Sequence, residues 1–130
     1  MKIDNILLDK LTAEAQVSPR LRMNLDLRNS DADTSQRILN AIEPGSVVPV
    51  HRHRGTSETM VVLRGRVVEE YYSSEGVVEA TYDLTAGGPV CALNISAGQW
   101  HTLRALDSGT VILEMKDGPY EPIQECDILR

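Results

Sequence analysis

The spacing of apolar residues along the chain changes near residue 20, from a helical period to a strand period. Residues 4–16 carry their apolar side chains at intervals that suit one face of a helix. The residues of that face are Ile6, Leu7, Leu11 and Ala15. Asp4 or Asn5 is suited to cap the start, and Ser18-Pro19 ends the helix, because the residue before a proline disfavours helical geometry. We therefore predict one short amphipathic helix on the outside of the domain.

Downstream of this helix the pattern is that of short strands. Polar and apolar residues alternate without a break over 22–28, which is typical of a half-buried strand, and a strand resumes over 36–42 after a polar loop. Further strands are predicted over 46–53, 58–64, 66–73, 77–84, 89–96, 100–106 and 110–116. Glycine-containing turns separate most of them. Many short strands at such regular intervals predict an all-β sandwich or barrel.

The length and the punctuation of the chain indicate one domain. A chain of 130 residues is long enough to bury a single apolar core. We divide it into an N-terminal helical segment over 1–18, a β-barrel over 22–117 and a C-terminal tail over 118–130. The tail contains two prolines and is expected to wrap the surface of the barrel.

Composition narrows the possible partners and locations. The net charge of −6 argues against nucleic acid or an anionic membrane as the main partner. No apolar run is long enough to cross a bilayer, and the N-terminus lacks the pattern of a signal peptide, so we expect a cytoplasmic location. Cys91 and Cys126 are too few for a disulfide framework and are expected to be free thiols.

All three histidines of the chain fall into one arrangement with a glutamate. His51 and His53 are two residues apart on a predicted strand, so both imidazoles project from the same face. A tight turn around Gly55 then brings Glu58 back beside them, and His101 begins a later strand. Imidazole and carboxylate ligands without a thiolate suit one divalent ion of zinc, iron, nickel, manganese or cobalt. His51, His53, Glu58 and His101 are therefore the predicted metal ligands.

The same stretch resembles the first sequence motif of the cupins. That motif has a glycine, an HxH pair, a glutamate and a second glycine at set spacings. Gly45, His51, His53, Glu58 and Gly65 match it without a gap. The second cupin motif is matched only by Gly98 and His101; Ser96 stands in place of its proline and Ala105 in place of its asparagine. The resemblance implies a double-stranded β-helix, the cupin jelly roll, following the short N-terminal helix.

Nearly the whole chain is also similar to the WbuC family of cupin-fold metalloproteins. The segments that carry this similarity are SPRLRMNLDLR, QRILNAIEPG, the HRH motif and GPYEPIQECDILR. Members of that family are associated with gene clusters for bacterial surface polysaccharide (O-antigen). The resemblance therefore implies a metal and suggests a sugar-like ligand.

Several functions are compatible with such a metal site. The first is a metal-dependent enzyme, for example an isomerase or epimerase, that acts on a sugar or nucleotide-sugar; an iron-dependent dioxygenase would use the same ligands. A non-catalytic binding or sensing module and a purely structural metal are the alternatives. Candidate acid or base groups are Glu70, Tyr71, Tyr72 and Glu114. We favour an enzyme, because histidine and glutamate without cysteine are more typical of catalytic than of structural metal sites.

The basic residues suggest how a ligand is held. The chain has ten arginines against three lysines, and arginine grips carboxylate and phosphate with two parallel hydrogen bonds. Some of these polar residues are predicted to line the barrel mouth and to contact an anionic part of a small-molecule ligand; the candidates are Arg20, Arg22, Asn24 and Arg37. The alternative is that the arginines pair with Asp26, Asp31 or Asp33 on the surface. We expect a homodimer, because such a sheet has exposed edge strands that must be covered. The resemblance to the family also implies a dimer.

Overall fold

Eight strands form two antiparallel sheets in the computed structural model, which describes all residues from 1 to 130. The helix and strands are α1 (Asn5–Val17), β1 (Arg22–Asp26), β2 (Ser35–Ile42), β3 (Glu58–Arg64), β4 (Arg66–Tyr72), β5 (Val78–Thr85), β6 (Ala92–Ile95), β7 (Trp100–Ala105) and β8 (Thr110–Asp117). One sheet has the order β1-β2-β8-β3-β6, and the other has the order β5-β4-β7. The predicted all-β jelly roll with a short N-terminal helix is confirmed.

Helix α1 begins and ends where its sequence predicts. The carboxylate of Asp4 accepts a hydrogen bond of 3.1 Å from the backbone N–H of Leu7, so Asp4 is the N-cap. The side chains that α1 buries are those of Leu8, Leu11 and Ala15. The predicted face was wrong at Ile6, which is 80% exposed. Ile6 and Leu8 are two residues apart and point to opposite sides of a helix, so burial of Leu8 turns Ile6 to solvent.

The five-stranded sheet is covered on both faces, and this produces two separate clusters of buried apolar residues. Between the two sheets lie Ile42, Met60, Val62, Val67, Leu84, Ala105 and Ile112. Between the sheet and α1 lie Leu8, Leu11, Ala15, Leu39, Ala41 and Val111. Strands β2 and β8 contribute to both clusters, because alternate residues of a strand face opposite sides of the sheet. The core is therefore apolar and separate from the histidines.

The segment before the first turn differs from the prediction. No regular strand forms over 46–53; His51 makes only isolated bridges, one to His101 and one to Ile128. Pro49 has no backbone N–H to donate to a neighbouring strand, and Ser46 donates its N–H back to the carbonyl of Glu43 in a turn. The prediction of a strand here was wrong, although the backbone around the histidines is extended.

The C-terminal tail is attached to the outside of the barrel at both of its ends. The side-chain amide of Gln36 donates to the carbonyls of Gly118 and Pro119 at 3.0 and 3.1 Å. At the far end, Leu129 donates its N–H to the carbonyl of Val50 at 2.8 Å. The tail therefore forms part of the rim of the cavity between the sheets.

No helix of the chain is long and apolar enough to span a membrane. Assembly as a homodimer stays a prediction.

Candidate metal centre

Backbone hydrogen bonds bring the three histidines together from distant parts of the chain. His51 and His101 exchange two bonds, N–H to carbonyl, of 3.0 and 2.8 Å. Such a reciprocal pair places the two residues directly opposite each other. The carbonyl of His53 accepts a bond of 2.7 Å from Gly98, which holds it beside the turn that precedes β7. The possible ligand atoms of His51, His53 and His101 all lie within 4.8 Å of one another, so these three residues could bind a metal.

A hydrogen bond made by Nδ1 orients the ring of His51 and the ring of His101. The Nδ1 of His51 is 2.8 Å from the carbonyl oxygen of Pro49, and the Nδ1 of His101 is 2.8 Å from that of Gln99. A carbonyl oxygen can only accept, so each Nδ1 donates its N–H, and in a neutral ring this leaves Nε2 free to bind a metal. This is the arrangement in which proteins present imidazole to a metal. Burial lowers the pKa values of His51 and His53 to about 4, so both rings are neutral near pH 7.

Glu58 at the start of β3 adds a carboxylate to the cluster. Its Oε2 lies 3.2 Å from Nε2 of His101 and 3.8 Å from Nε2 of His53. Burial alone would raise the pKa of Glu58, but the contact with His101 and the charge of Lys116 outweigh this and lower it to about 2. This Oε2 is inaccessible to solvent and has no hydrogen-bond donor. A cation bound between this oxygen and Nε2 of His101 would satisfy both atoms. Three imidazoles and this carboxylate together are suitable ligands for a divalent ion.

The cluster lies in a cavity of about 690 Å³ between the sheets. This volume is in the range of small-molecule sites. Polar residues of the barrel wall that line it are Arg20, Arg22, Asn24, Gln36, Asn40, Glu69, Glu114 and Lys116. The tail supplies the remaining rim, from Gly118 to Ile128.

The structure separates the ligand-contact residues predicted from the sequence into two groups. Arg20, Arg22 and Asn24 line the cavity. Arg37 does not: its guanidinium lies 3.0 Å from a carboxylate oxygen of Asp33 and also bonds backbone carbonyls. Arg37 and Ile38 are neighbours on β2, and it is Ile38 that lines the cavity, so Arg37 is on the opposite face.

The arginines that alternate with the histidines are paired with the C-terminal tail. Arg52 and Arg54 both bind the same carboxylate oxygen of Asp127, at 3.0 and 2.6 Å. The guanidinium of Arg52 also lies 4.4 Å from the centre of the Trp100 ring. These contacts attach the tail to the segment that carries the HxH pair.

Only one of the candidate acid or base groups lines the cavity, and that is Glu114. Glu70 instead pairs with Arg104 on the outer face at 3.1 Å, and the ring of Tyr71 packs against Tyr82. Burial, followed by the negative charge of Glu58, raises the pKa of Glu114 to about 7. Near neutral pH this group is therefore suited to give or take a proton.

Glu69 is the cavity residue that the sequence did not reveal. It is fully buried on β4, and neither carboxyl oxygen has a hydrogen-bond partner. Burial, and then the charges of Glu58 and Glu114, raise its pKa to about 9. Glu69 lies beside Glu70 in the run VVEEYY, and alternation alone does not say which of the two points inward. Three further residues that line the cavity were not singled out from the sequence either: Gln36, Asn40 and Lys116.

Glu69→Gln is expected to stabilise the metal-free protein at neutral pH. The folded state keeps the Glu69 proton up to about pH 9, whereas the unfolded chain releases it near 4.5. The unfolded chain thus binds fewer protons in this window, and the free energy of unfolding falls as pH rises, by on the order of 3 kcal/mol at pH 7. Glutamine avoids this loss but buries an amide, so we expect a net gain of about 1–2 kcal/mol.

Urea unfolding of EDTA-treated protein at several pH values checks this expectation. The gain should shrink as pH falls toward 4.5, where Glu69 is protonated in both states. Glu70→Gln is the matched control, because Glu70 is on the outer face and pairs with Arg104. A gain for Glu69→Gln that does not change with pH would contradict the assignment of a buried, uncharged carboxyl.

Solved structures with the same arrangement of strands share little sequence with this chain. A cupin 2 domain-containing protein from Halorhodospira halophila superposes with a TM-score of 0.62 at 18% identity, over 79% of this chain and 68% of that chain. KdgF from Halomonas sp. gives 0.64 at 14% identity, over 80% and 85%. The capsular polysaccharide assembling protein CapF from Staphylococcus aureus gives 0.67 at 18% identity, and the match covers 82% of this chain but only 30% of CapF.

These similarities, together with the two-sheet jelly roll, define the fold as that of the cupins. The chain itself belongs to the family described as a domain of unknown function (DUF6016), whose sequence profile matches residues 3–84. No curated protein matches it.

Proposed function

We propose that this protein is a metal-dependent enzyme that acts on a small polar molecule such as a sugar or nucleotide-sugar. The observation that carries the proposal is the cluster at the cavity. The possible ligand atoms of three histidines lie within 4.8 Å of one another, beside a buried carboxylate oxygen of Glu58 that has no hydrogen-bond partner. His51, His53, Glu58 and His101 would hold one divalent ion. Such an ion supplies Lewis acidity, which polarises a carbonyl or hydroxyl oxygen of a ligand.

The side chains around the cluster favour an enzyme over a structural metal site. A structural site is closed by its protein ligands, whereas this cluster borders a cavity large enough for a ligand. Glu58 is assigned to the metal, which leaves Glu114 and Glu69 for proton transfer. Glu114 gives or accepts a proton near neutral pH, and Glu69 is suited to donate one because burial keeps it uncharged. Two carboxyl groups of different acidity at one cavity suit an isomerase or epimerase.

The resemblance to the WbuC family and the fold shared with CapF support a role in surface-polysaccharide metabolism. CapF is described as a capsular polysaccharide assembling protein, and its cupin-like part covers most of the present chain. We infer that the ligand is a building block of such a polymer. The non-catalytic alternative, a binding or sensing module, uses the same cavity and differs only in whether the ligand is changed.

Adding a divalent metal to EDTA-treated protein is expected to raise its melting temperature, with one ion bound per chain. At an ion concentration 100 times the Kd, the stabilisation is about 2.7 kcal/mol. Glu58→Gln should keep the shape of the site but weaken binding roughly 10- to 100-fold, because it removes the only anionic ligand. Thermal shift with zinc, manganese, cobalt, nickel and ferrous iron, together with metal content by mass spectrometry, tests this. Unchanged affinity in Glu58→Gln would remove Glu58 from the ligand set.

Two further measurements distinguish the candidate functions. With cobalt bound, the visible spectrum should change when a sugar acid is added, because an open coordination position accepts an outside oxygen; a closed structural site would give no change. Incubation of metal-loaded protein with hexoses, hexose phosphates and nucleotide-sugars in D₂O, followed by proton NMR, then tests for turnover. Deuterium on a carbon of the recovered sugar indicates proton transfer, whereas a ligand that binds and is recovered unchanged indicates a binding module.

A further inference from the structure

Nearly all arginines of this chain are neutralised by a neighbouring carboxylate. Those within 3.1 Å of an aspartate or glutamate oxygen are Arg28, Arg37, Arg52, Arg54, Arg64, Arg66, Arg104 and Arg130. The two that remain are Arg20 and Arg22, and both line the cavity that contains the histidine cluster. The arginines without a counter-ion are thus concentrated at the site.

The side chain of Arg22 has a buried nitrogen that no protein atom pairs with. Its Nε is inaccessible to solvent and has no hydrogen-bond acceptor. A buried donor left without an acceptor is unfavourable, and more so when the group is charged. Burial and the neighbouring charge of Arg20 both lower the pKa of Arg22. A ligand with anionic oxygens would satisfy the guanidinium and offset the repulsion between the two arginines.

Glu114 is the carboxyl group that counters the positive charge of Arg22, but it does not neutralise that charge fully. Glu114 favours the charged form of Arg22, but less than burial and Arg20 disfavour it. Glu114 already accepts a bond of 3.4 Å from the side-chain amide of Asn40, and Lys116 lies 4.0 Å away from it. The cations of this wall therefore outnumber the carboxylates that are free to neutralise them.

The distance between the arginines and the histidine cluster indicates the size of the ligand. Arg22 is on β1 and Glu58 is on β3, and β2 and β8 lie between these strands in the sheet. Three strand spacings account for about 14 Å across the sheet. Along the strands, Arg22 is level with Thr110 of β8 and Glu58 is level with Lys116, which adds about 20 Å, so the two backbones are roughly 24 Å apart. Between the two ends, the side-chain oxygen of Asn40 is buried and accepts no hydrogen bond. A hydroxyl group of a ligand could donate to it.

We propose that Arg20 and Arg22, with Asn24 beside them, bind the phosphate or carboxylate group of an elongated ligand whose other end reaches the histidine cluster. The middle of the ligand then lies along the side of the cavity that contains Asn40. A two-carbon acid is too short to contact both ends at once. The position of the far end rests on the proposed function, whereas the anion subsite itself does not require a metal.

Isothermal titration calorimetry with three probes tests the subsite: a hexose phosphate, a hexuronic acid and the uncharged hexose. Each is titrated into EDTA-treated and into metal-loaded protein. We expect at least one anionic probe to bind tenfold or more tightly than the hexose in both forms. Arg22→Ala should weaken that binding about 10- to 100-fold, as expected for loss of a charged hydrogen bond, and Arg22→Lys less. Whichever anion binds more tightly identifies the ligand group.

Arg66→Ala is the matched control, because Arg66 is paired with Asp107 away from the cavity. It should leave the affinity for the anion unchanged. The subsite is disproved if the hexose binds as tightly as both anions, if no probe binds, or if Arg22→Ala binds as well as the wild type. Metal content, measured on the same samples, shows separately whether the metal centre is intact. Urea unfolding verifies that Arg22→Ala is folded, and Arg22→Lys provides a second variant if it is not.

Discussion

His51→Ala is expected to weaken metal binding by at least about 100-fold. Changes to residues that merely orient a metal ligand reduce affinity 10- to 100-fold, so removal of a ligand should cost no less. The loss is specific, because His51 lies directly opposite His101 and its Nδ1 is already held by the carbonyl of Pro49, which leaves Nε2 for the ion. Alanine supplies no donor atom, and only three of the proposed ligands remain.

The metal-free stability should change much less than the metal affinity. The apolar clusters of the fold do not include the histidines, so His51→Ala should change the free energy of unfolding of EDTA-treated protein by about 1 kcal/mol or less. Competition with a chromophoric chelator measures the affinity, and mass spectrometry measures the ions per chain. Arg54→Ala is the control from the same segment, since Arg54 pairs with Asp127. If all four single-ligand variants keep wild-type affinity, the metal binds elsewhere.

Gly65→Ala is expected to destabilise the protein by about 2–5 kcal/mol. Gly65 joins β3 to β4 with φ of +84°, a conformation that costs an L residue about 1–2 kcal/mol. In addition, the new Cβ would lie 2.9 Å from the Cα of Thr110 and would clash with the Thr110 hydroxyl. Thr110 is fully buried, so its backbone has little room to move, and overpacking of this kind costs a further 1–3 kcal/mol or so.

The chain offers a matched control for this prediction. Gly87 also has a positive φ, of +69°, but a Cβ added there meets no atom within 4 Å. Gly87→Ala should therefore lose only the conformational part, about 1–2 kcal/mol. Urea unfolding of both variants without metal measures the difference. Equal losses would show that the approach of Thr110 adds nothing, and that only the backbone conformation of Gly65 matters.

The sequence alone determined those features that depend on short-range spacing. Side chains two residues apart on extended backbone share one side, so the HxH pair predicts two imidazoles close together. A turn-sized gap then returns Glu58 to 3.8 Å from His53. The change from helical to alternating spacing located α1 and most of the strands within a few residues. These features could be predicted because each follows from the geometry of fewer than about ten consecutive residues.

The tertiary structure alone decided which face of each strand became the cavity. Alternation shows that Glu69 and Glu70 point in opposite directions, but only the packing of the two sheets turns Glu69 inward and leaves Glu70 to pair with Arg104. The same choice sends Arg37 outward, while Arg22, from another strand, lines the cavity. Which side of a strand is covered depends on residues far away in the sequence. For that reason the histidines could be identified from the sequence, whereas it could not decide which of the candidate carboxyl groups and arginines face the cavity.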